Sequence, residues 1–261
     1  MNNGARRQRQ IDFFHLQRHS ASRLDPVPDE LRPVDKAEAY AVLSGVHQRM
    51  SAAGSVRAGY KIGCTTPETQ RAQNTDEPTW AGLFTGDNYS TIDEALANLT
   101  PPFALECEIA FRFGRRLCAD EGKIVVADII DAVDACMIGC EIVRNRYGIP
   151  LERGLPTLIA DDFFQAGYVL GQPVAAWRDL DLIGLAAECR VDGRVVETGI
   201  SKIVMGNPLN SLRWLAADLA RRGRKLEAGD VVLSGSITKP YWLDTRPRTA
   251  ELQIAGLGVL R

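Results

Sequence analysis

Alternating apolar and polar residues predict a strand at residues 55–64, SVRAGYKIGC. Apolar side chains there alternate with one arginine, two glycines and Lys61. Successive side chains of a strand point to opposite faces, so Lys61 is expected to lie away from the apolar face. The flanking Gly59 and Gly63 leave room beside it. A surface lysine and a lysine that serves a site both agree with this pattern.

A second strand, ALECEIAF at residues 104–111, sets two carboxylates side by side. One predicted face is apolar, and the other carries Glu106 and Glu108, because positions i and i+2 share a face. A further apolar strand, MIGCEIV at residues 137–143, carries Glu141. Three acids therefore occur on strands whose other residues are apolar or small.

Helical patterns occur between these strands. Residues 6–20 predict a basic amphipathic helix, and Asp35 predicts the N-cap of a helix that runs to about Met50. A helix is expected at residues 127–136. Another begins at Asn207-Pro208 with a leucine stripe and a stop at Gly223; the stripe consists of Leu209, Leu212, Leu215 and Leu219.

The pattern changes near residue 95, which predicts two parts. Residues 1–95 form a helical or mixed N-terminal lobe, in which 76–88 is a loop, and residues 96–261 form a β-rich metal-binding core. Strands are expected to outnumber helices in the core, with a hairpin turn at 192–194. The predicted fold class is α+β; the further core strands are expected near 166–170, 185–191, 228–236 and 250–260.

Composition excludes several classes of function. The 261 residues include 45% hydrophobic and 25% charged residues, with a net charge of −2. This balance argues against a nucleic-acid partner. No apolar run approaches the roughly 20 residues that span a bilayer, and the N-terminus has no apolar segment typical of a secretory signal.

The cysteines and histidines give weaker signals. Six cysteines occur mostly within apolar runs and none forms a C-x-x-C pair, which favours reduced core residues in a cytoplasmic protein. His15 and His19 have a spacing that suits a metal, but two packed or solvated histidines on a terminal helix are the simpler interpretation.

The three glutamates carry the strongest chemical signal. Two carboxylates about 5 Å apart repel by roughly 3 kcal/mol at an effective dielectric constant of about 20. A group of three needs a cation or protonation, and an all-oxygen set favours Mg²⁺ or Mn²⁺ over zinc. The alternative is a solvent-facing set paired with arginines such as Arg112 or Arg144.

Five stretches together resemble the 2-keto-4-pentenoate hydratases of the fumarylacetoacetate hydrolase superfamily, in the right order over roughly residues 30–260. They are GYKIGCTT (59–66), LECEIAF (105–111), CEIVRNRY (140–147), ETGISKIVMGNPLNSLRWLA (197–216) and LEAGDVVLSGSIT (226–238).

The resemblance implies a twisted β-roll core that binds Mg²⁺ or Mn²⁺ and a small 2-oxo acid. It assigns the metal to Glu106, Glu108 and Glu141, and it matches Lys61 to the lysine that the family carries in the corresponding strand. It places Ser236 at the substrate and Asp161 near the pocket, although helix capping explains Asp161 equally well. The implied assembly is a homo-oligomer, a dimer or a larger ring, without nucleic-acid or membrane partners.

Three positions depart from the family pattern. Thr79 occupies the catalytic position after Pro78 where the hydratases usually carry an acid that handles water, and a threonine is no base near neutral pH. Lys202 and Lys239 add positive charges that suit a second substrate carboxylate, or else are exposed loop lysines.

The implied function is metal-dependent hydration of a 2-hydroxy-2,4-dienoate in aromatic or related catabolism. Decarboxylation of a 4-oxalocrotonate-like diacid needs no water-activating base, so Thr79 favours it. Cleavage of an acylpyruvate C–C bond by water needs a His–acid pair, and the three histidines all precede the core. A metal-binding homologue without catalysis is the remaining alternative, which the loss of the acid at Thr79 keeps open.

Overall fold

The computed structural model describes residues 3–18, 27–117, 124–147 and 154–261. The helices in these ranges are α1 (Asn3–Arg18), α2 (Lys36–Ala52), α3 (Pro67–Ala72), α4 (Ile92–Asn98), α5 (Val126–Ala132), α6 (Gly154–Ala160) and α7 (Pro208–Arg221). The strands in these ranges are β1 (Arg57–Gly63), β2 (Thr79–Phe84), β3 (Asn88–Tyr89), β4 (Phe103–Phe113), β5 (Val133–Val143), β6 (Gln165–Leu170), β7 (Ala186–Val191), β8 (Arg194–Ile200), β9 (Val231–Ser236), β10 (Tyr241–Leu243), β11 (Ala250–Ile254) and β12 (Gly258–Leu260).

Two sheets organise the described residues. The larger has the order β2-β1-β9-β4-β5-β6-β3, with β10 added on β4, and the smaller has the order β12-β11-β7-β8. The larger sheet is mixed, because β1 pairs with β9 in parallel while β4 pairs with β5 antiparallel. The predicted α+β class is confirmed.

The two faces of β4 separate the core from the site. Its apolar face packs into a large buried cluster together with Cys189 and Leu252 of the smaller sheet; the β4 members of this face are Leu105, Cys107, Ile109 and Phe111. The opposite face carries Glu106 and Glu108, as predicted. The larger sheet therefore uses one face for packing and leaves the other for polar groups.

Helix signals in the sequence are confirmed where a cap and an apolar stripe coincide. The Asp35 side chain accepts a hydrogen bond from the Glu38 N–H at the start of α2. Asn207 caps α7 in the same way by accepting from the Leu209 N–H, and Pro208 occupies the first turn. All four leucines of the predicted stripe are buried.

The loop predicted at residues 76–88 is wrong for its central part, which is strand β2. Every residue of β2 is buried, so the stretch has no apolar–polar alternation to mark it as a strand. The helix predicted at 127–136 is also too long: it ends at Ala132, and β5 begins at Val133.

The larger sheet runs across residue 95, since β1 and β2 pair with each other and β1 pairs with β9. The division into 1–95 and 96–261 stays a prediction about domain organisation.

The five described cysteines are free and buried; Cys118 and His19 lie outside the described residues. Among the helices of the described residues, none combines the length and the apolar composition that a membrane span requires.

Candidate active site

The register between β4 and β5 brings three carboxylates together. Glu106 lies directly opposite Glu141, and Glu108 lies opposite Gly139. Because residues i and i+2 of a strand share a face, all three side chains extend from the same side of the sheet. One oxygen from each glutamate lies within 4.8 Å of the others. The structure thus assembles the predicted acidic set.

Glu108 is the most deeply placed of the three. It is fully buried, and its Oε2 accepts a hydrogen bond from the Gly235 N–H at 2.8 Å. Gly235 has a φ of +117°, and a Cβ there would lie 2.4 Å from the Thr65 hydroxyl. Glycine therefore fits this position of β9 against Thr65, and its N–H reaches the carboxylate from there. The other oxygen, Oε1, has no hydrogen-bond partner among the described residues.

Lys61 provides the positive charge of the cluster. Its side chain is 2% exposed, and Nζ lies 2.5 Å from Glu141 Oε1. The same Nζ donates a hydrogen bond to the Phe163 carbonyl at 2.8 Å and lies 5.1 Å from the centre of the Phe163 ring. The predicted direction of Lys61, away from the apolar face, brings it to the acids.

One lysine does not balance three closely grouped carboxylates. Burial and the charge of Glu141 raise the pKa of Glu106 to about 8. Burial and the other two acids raise the pKa of Glu108 well above its ordinary value. Burial also raises the pKa of Glu141, although Lys61 opposes the shift. Without a further cation, the cluster keeps protons at neutral pH.

The donor set fits a hard divalent cation. The three carboxylates are oxygen ligands within reach of one point, and Glu108 Oε1 is a buried acceptor that no described residue engages. Mg²⁺ and Mn²⁺ favour such ligands over nitrogen and sulfur. Glu106, Glu108 and Glu141 are the residues that would hold this ion.

A cavity of about 410 Å³ opens onto the cluster. Lys61, Glu106 and Glu141 line it, and apolar walls come from Ile62, Phe163, Ile203 and Pro240. Such a volume suits a small organic acid. The carboxylates and Lys61 form one polar region of this lining and the apolar walls another, which suits a ligand with a carboxylate end and an apolar part.

Two further predicted residues line this cavity. The Ser236 hydroxyl donates a hydrogen bond to the Thr238 carbonyl at 2.8 Å, and its oxygen remains available as an acceptor. Lys239 also lines the cavity, but its side chain is 70% exposed and forms an ion pair with Glu68 at 3.6 Å. Lys239 therefore belongs to a solvated part of the lining.

Three predicted residues lie outside the described lining. Thr79 is 1% exposed and is paired with Gly63 between β1 and β2. Asp161 is buried, and its carboxylate accepts hydrogen bonds from Arg146 and Tyr147, each at 2.8 Å. Lys202 is exposed, next to a residue that lines the cavity. Their assignments to catalysis or substrate binding stay predictions.

The sequence interpretation missed Asp162, the second acid of LIADDFF. Asp162 is 1% exposed and contacts Arg18 and His47. Burial acts to raise its pKa, but His47, Arg18 and the Gly82 N–H together hold that pKa below its usual range. The doubled aspartate in an apolar stretch was the available signal. Its side-chain partners Arg18 and His47 lie more than a hundred positions away, so spacing gave no way to find them.

The raised pKa values predict that Mg²⁺ stabilises the protein more strongly as the pH rises. Between the ordinary pKa of 4.5 and about 8, the folded cluster holds a proton that the unfolded chain loses. The metal-free protein is therefore expected to lose stability as the pH rises through this window. Mg²⁺ replaces the proton, so thermal unfolding in EDTA and in Mg²⁺ should separate progressively from pH 5 to 8.

Glu106→Gln is the control for this measurement, because it removes the group whose pKa rises to about 8. Its melting temperature should depend less on pH in EDTA than that of the wild type. A melting temperature that responds to Mg²⁺ equally at pH 5 and pH 8 would contradict the assignment of protons to this cluster.

The fold and the cluster define a class of protein, an α+β protein whose central sheet presents carboxylates and a lysine to a small cavity. The family model described as "Fumarylacetoacetate (FAA) hydrolase C-terminal" matches residues 57–261. The chain belongs to this family, and the family resemblance of its motifs is confirmed.

Sequence relatives share most of its length. A 2-keto-4-pentenoate hydratase of Burkholderia vietnamiensis (strain G4 / LMG 22486) is 33% identical over 243 residues, which are 93% of this chain and 91% of the relative. A 4-oxalocrotonate decarboxylase from a Pseudomonas species is 31% identical over 191 residues, covering 71% of this chain and 70% of the relative.

Solved structures share the fold. The 4-oxalocrotonate decarboxylase of Pseudomonas putida G7, complexed with magnesium and adipate, aligns with a TM-score of 0.87 at 20% identity over 100% of this chain and 97% of its own. Fumarylpyruvate hydrolase of Pseudomonas aeruginosa, in complex with Mn²⁺ and pyruvate, has a TM-score of 0.57 at 18% identity, covering 78% and 87%. The expected fumarylacetoacetate-hydrolase-like fold is confirmed.

Proposed function

We propose that the chain is a divalent-metal-dependent lyase that hydrates a 2-hydroxy-2,4-dienoate. The observation that carries this proposal is the group of Glu106, Glu108 and Glu141 beside Lys61 at the cavity. The similarity to a 2-keto-4-pentenoate hydratase over 93% of the chain supports the reaction type. The substrate is accordingly a small 2-oxo acid or its enol.

The metal proposed here is Mg²⁺ or Mn²⁺. The fit of three oxygen ligands supports a hard ion, and magnesium and Mn²⁺ are bound in two solved structures of this fold. When bound, such an ion supplies Lewis-acid polarisation of a 2-oxo carbonyl and its neighbouring carboxylate.

Lys61 is assigned a different role from the three glutamates. Its Nζ is held between Glu141 and the Phe163 carbonyl, which fixes its position at the cavity. An ammonium group keeps a third donor beyond these two partners. We assign that donor to orienting the attacking water or the substrate carboxylate. Ser236 and Lys239, which line the cavity, are assigned to the remaining polar contacts of the substrate.

Decarboxylation of a 2-oxo diacid is the second candidate, and Thr79 is the observation that favours it. Hydration needs a group that takes a proton from water, whereas loss of CO₂ from a polarised 2-oxo acid does not. Thr79 is a buried hydroxyl outside the described cavity lining, so it supplies no base. Lys239 then has a use as the cation for a second carboxylate.

Hydrolytic C–C cleavage has less support. His47 does form a His–acid pair, with Nε2 at 2.9 Å from Asp162 Oδ2. The pair is buried, and neither residue is part of the described lining of the cavity. A base for hydrolysis must reach the water that attacks the substrate, so this pair does not favour that reaction.

A substrate panel tests the proposed function. Purified protein with Mg²⁺ is incubated with 2-hydroxypenta-2,4-dienoate and separately with 2-oxohex-3-enedioate, and absorbance loss and CO₂ release are followed. We expect hydration of the first compound. CO₂ release from the second without any hydrated product would replace hydration by decarboxylation. No conversion of either, with Mg²⁺ bound, would support a non-catalytic homologue.

Cytoplasmic location, a role in aromatic catabolism and assembly into a dimer or larger ring are further proposals. The five described cysteines are free and buried, which agrees with a reducing compartment. The similarity to a 2-keto-4-pentenoate hydratase supports the proposal only as far as the reaction type. Size-exclusion chromatography with light scattering measures the assembly.

A further inference from the structure

A buried ion-pair network lies behind the cavity, with Asp162 at its centre. Oδ2 of Asp162 accepts a hydrogen bond from Arg18 Nη1 at 2.6 Å and lies 2.9 Å from His47 Nε2. Oδ1 accepts from the Gly82 N–H at 2.8 Å. Arg18 also donates to Asp87 at 2.7 Å. One carboxylate thereby joins α1, α2 and β2.

The backbone at this carboxylate is strained. Asp162, Phe163 and Phe164 have φ values of +59°, +52° and +66°, so three consecutive residues with side chains adopt the left-handed conformation. Such residues keep this conformation only where their surroundings impose it. The three contacts of the Asp162 side chain hold one end of this turn. The Arg144 N–H, which donates to the Phe164 carbonyl at 2.9 Å, holds the other.

The middle residue of the turn touches Lys61 in two ways. Its carbonyl accepts the hydrogen bond from Nζ, and its ring lies against the ammonium group. Both contacts depend on the left-handed backbone that points the Phe163 carbonyl at Lys61. A turn that relaxes to ordinary dihedral angles would remove both contacts.

We infer that Asp162 is a positioning residue for Lys61, and that Arg18 and His47 act through it. The inference gives the N-terminal helix α1 a part in the site, although it lies outside the residues 57–261 that the family model matches. Arg18 reaches the network from the end of α1, where its side chain is 5% exposed.

A double-mutant cycle in the full-length protein tests this inference. Asp162→Asn keeps the size of the side chain but removes its charge. We expect kcat to fall about tenfold, with KM and Mg²⁺ affinity within about twofold of wild type, because only the orientation of Lys61 changes. In a Lys61→Met background the same substitution should lower kcat by less than about twofold, since no lysine remains to be positioned. Equal reductions in both backgrounds overturn the inference.

The kcat readout rests on the proposed function, so a second readout is independent of turnover. Acetylation of Lys61 by acetic anhydride is followed by peptide mass spectrometry, with the exposed Lys225 as an internal reference. Lys61 should react several-fold faster in Asp162→Asn, whereas Lys225 should not change. If the wild type converts neither substrate, the proposed function fails and labelling alone decides. An unchanged labelling rate of Lys61 overturns the inference.

Asp218→Asn is the matched control. Asp218 is also a buried aspartate with two arginine partners, and Trp80 Nε1 donates to it at 2.7 Å. None of these partners lines the described cavity. Its kcat and its Lys61 labelling should match the wild type. If Asp162→Asn does not fold, Arg18→Met is measured instead. A lower kcat with faster labelling of Lys61 supports the inference, and wild-type values contradict it.

Discussion

Replacing Glu106 with glutamine is expected to weaken Mg²⁺ binding strongly and to lower kcat/KM by at least about 100-fold. Glu106 is one of three carboxylates whose oxygens lie close enough together to bind one ion. The neutral amide oxygen of glutamine is a poorer ligand for a hard cation. A Lewis acid at a reacting carbonyl contributes several kcal/mol, and each 1.36 kcal/mol is tenfold in rate. Isothermal titration with Mg²⁺ and steady-state rates measure both effects.

Asp134→Asn is the control for that substitution. Asp134 lies on β5, as Glu141 does, but at the other end of the strand, where it forms a half-exposed ion pair with Arg112. Its loss should leave Mg²⁺ affinity and rate within about twofold, because exposed ion pairs contribute little. If Glu106→Gln retained both Mg²⁺ affinity and activity, the carboxylate cluster would not be the metal site.

Lys61→Met is expected to lower kcat by about 100-fold or more while Mg²⁺ still binds. The substitution keeps the apolar stem and removes the ammonium group that lies at 2.5 Å from Glu141. Loss of a group that orients the water or the substrate can lower a rate by about 100-fold. Removal of a positive charge beside the cluster also favours cation binding, so Mg²⁺ affinity should be unchanged or higher. Rates at saturating Mg²⁺ and titration calorimetry separate these two effects.

Lys225→Met is the matched control, since Lys225 is an exposed lysine outside the described cavity lining. It should behave as wild type in both measurements. A Lys61→Met protein that loses Mg²⁺ binding would indicate that Lys61 supports the metal site rather than the chemistry. Full activity in Lys61→Met would contradict the role assigned to its third hydrogen-bond donor.

Strand faces were the most predictable part of the fold. In β4 the alternation of residues separates the apolar cluster from Glu106 and Glu108, and burial makes a slip by one residue unfavourable. Strand β2 was not predictable in this way, because all six of its residues are buried. Alternation reports a difference between two faces, and a strand buried on both faces has none.

The acids of the candidate site were predictable as a set, but not their pairing. Spacing put Glu106 and Glu108 on one face, a further apolar strand supplied Glu141, and the family resemblance assigned the metal to all three. That Glu141 lies directly opposite Glu106 depends on the register of β4 against β5, with α5 between the two strands. The contact of Lys61 with Glu141 needs β9 between β1 and β4, which sequence alternation does not reveal.

The residues inferred to hold Lys61 in position were not predictable from the sequence. Asp162 and Arg18 are 144 positions apart, and each looks ordinary in its own segment. Only the tertiary structure brings α1 to the left-handed turn after Asp161. Sequence patterns identify residues that contact a ligand more readily than residues that hold those contacting residues in position. The positioning residues are harder to identify because they depend on long-range packing.

The proposed reaction depends on a divalent ion held by Glu106, Glu108 and Glu141. An anomalous difference map from crystals grown with Mn²⁺ and oxalate, a stable analogue of a 2-oxo acid, tests it most directly. We expect a peak at about 2.0–2.6 Å from one oxygen of each glutamate, with oxalate on the cavity side. A Mn²⁺ peak elsewhere in the chain, with none between these three carboxylates, would contradict it.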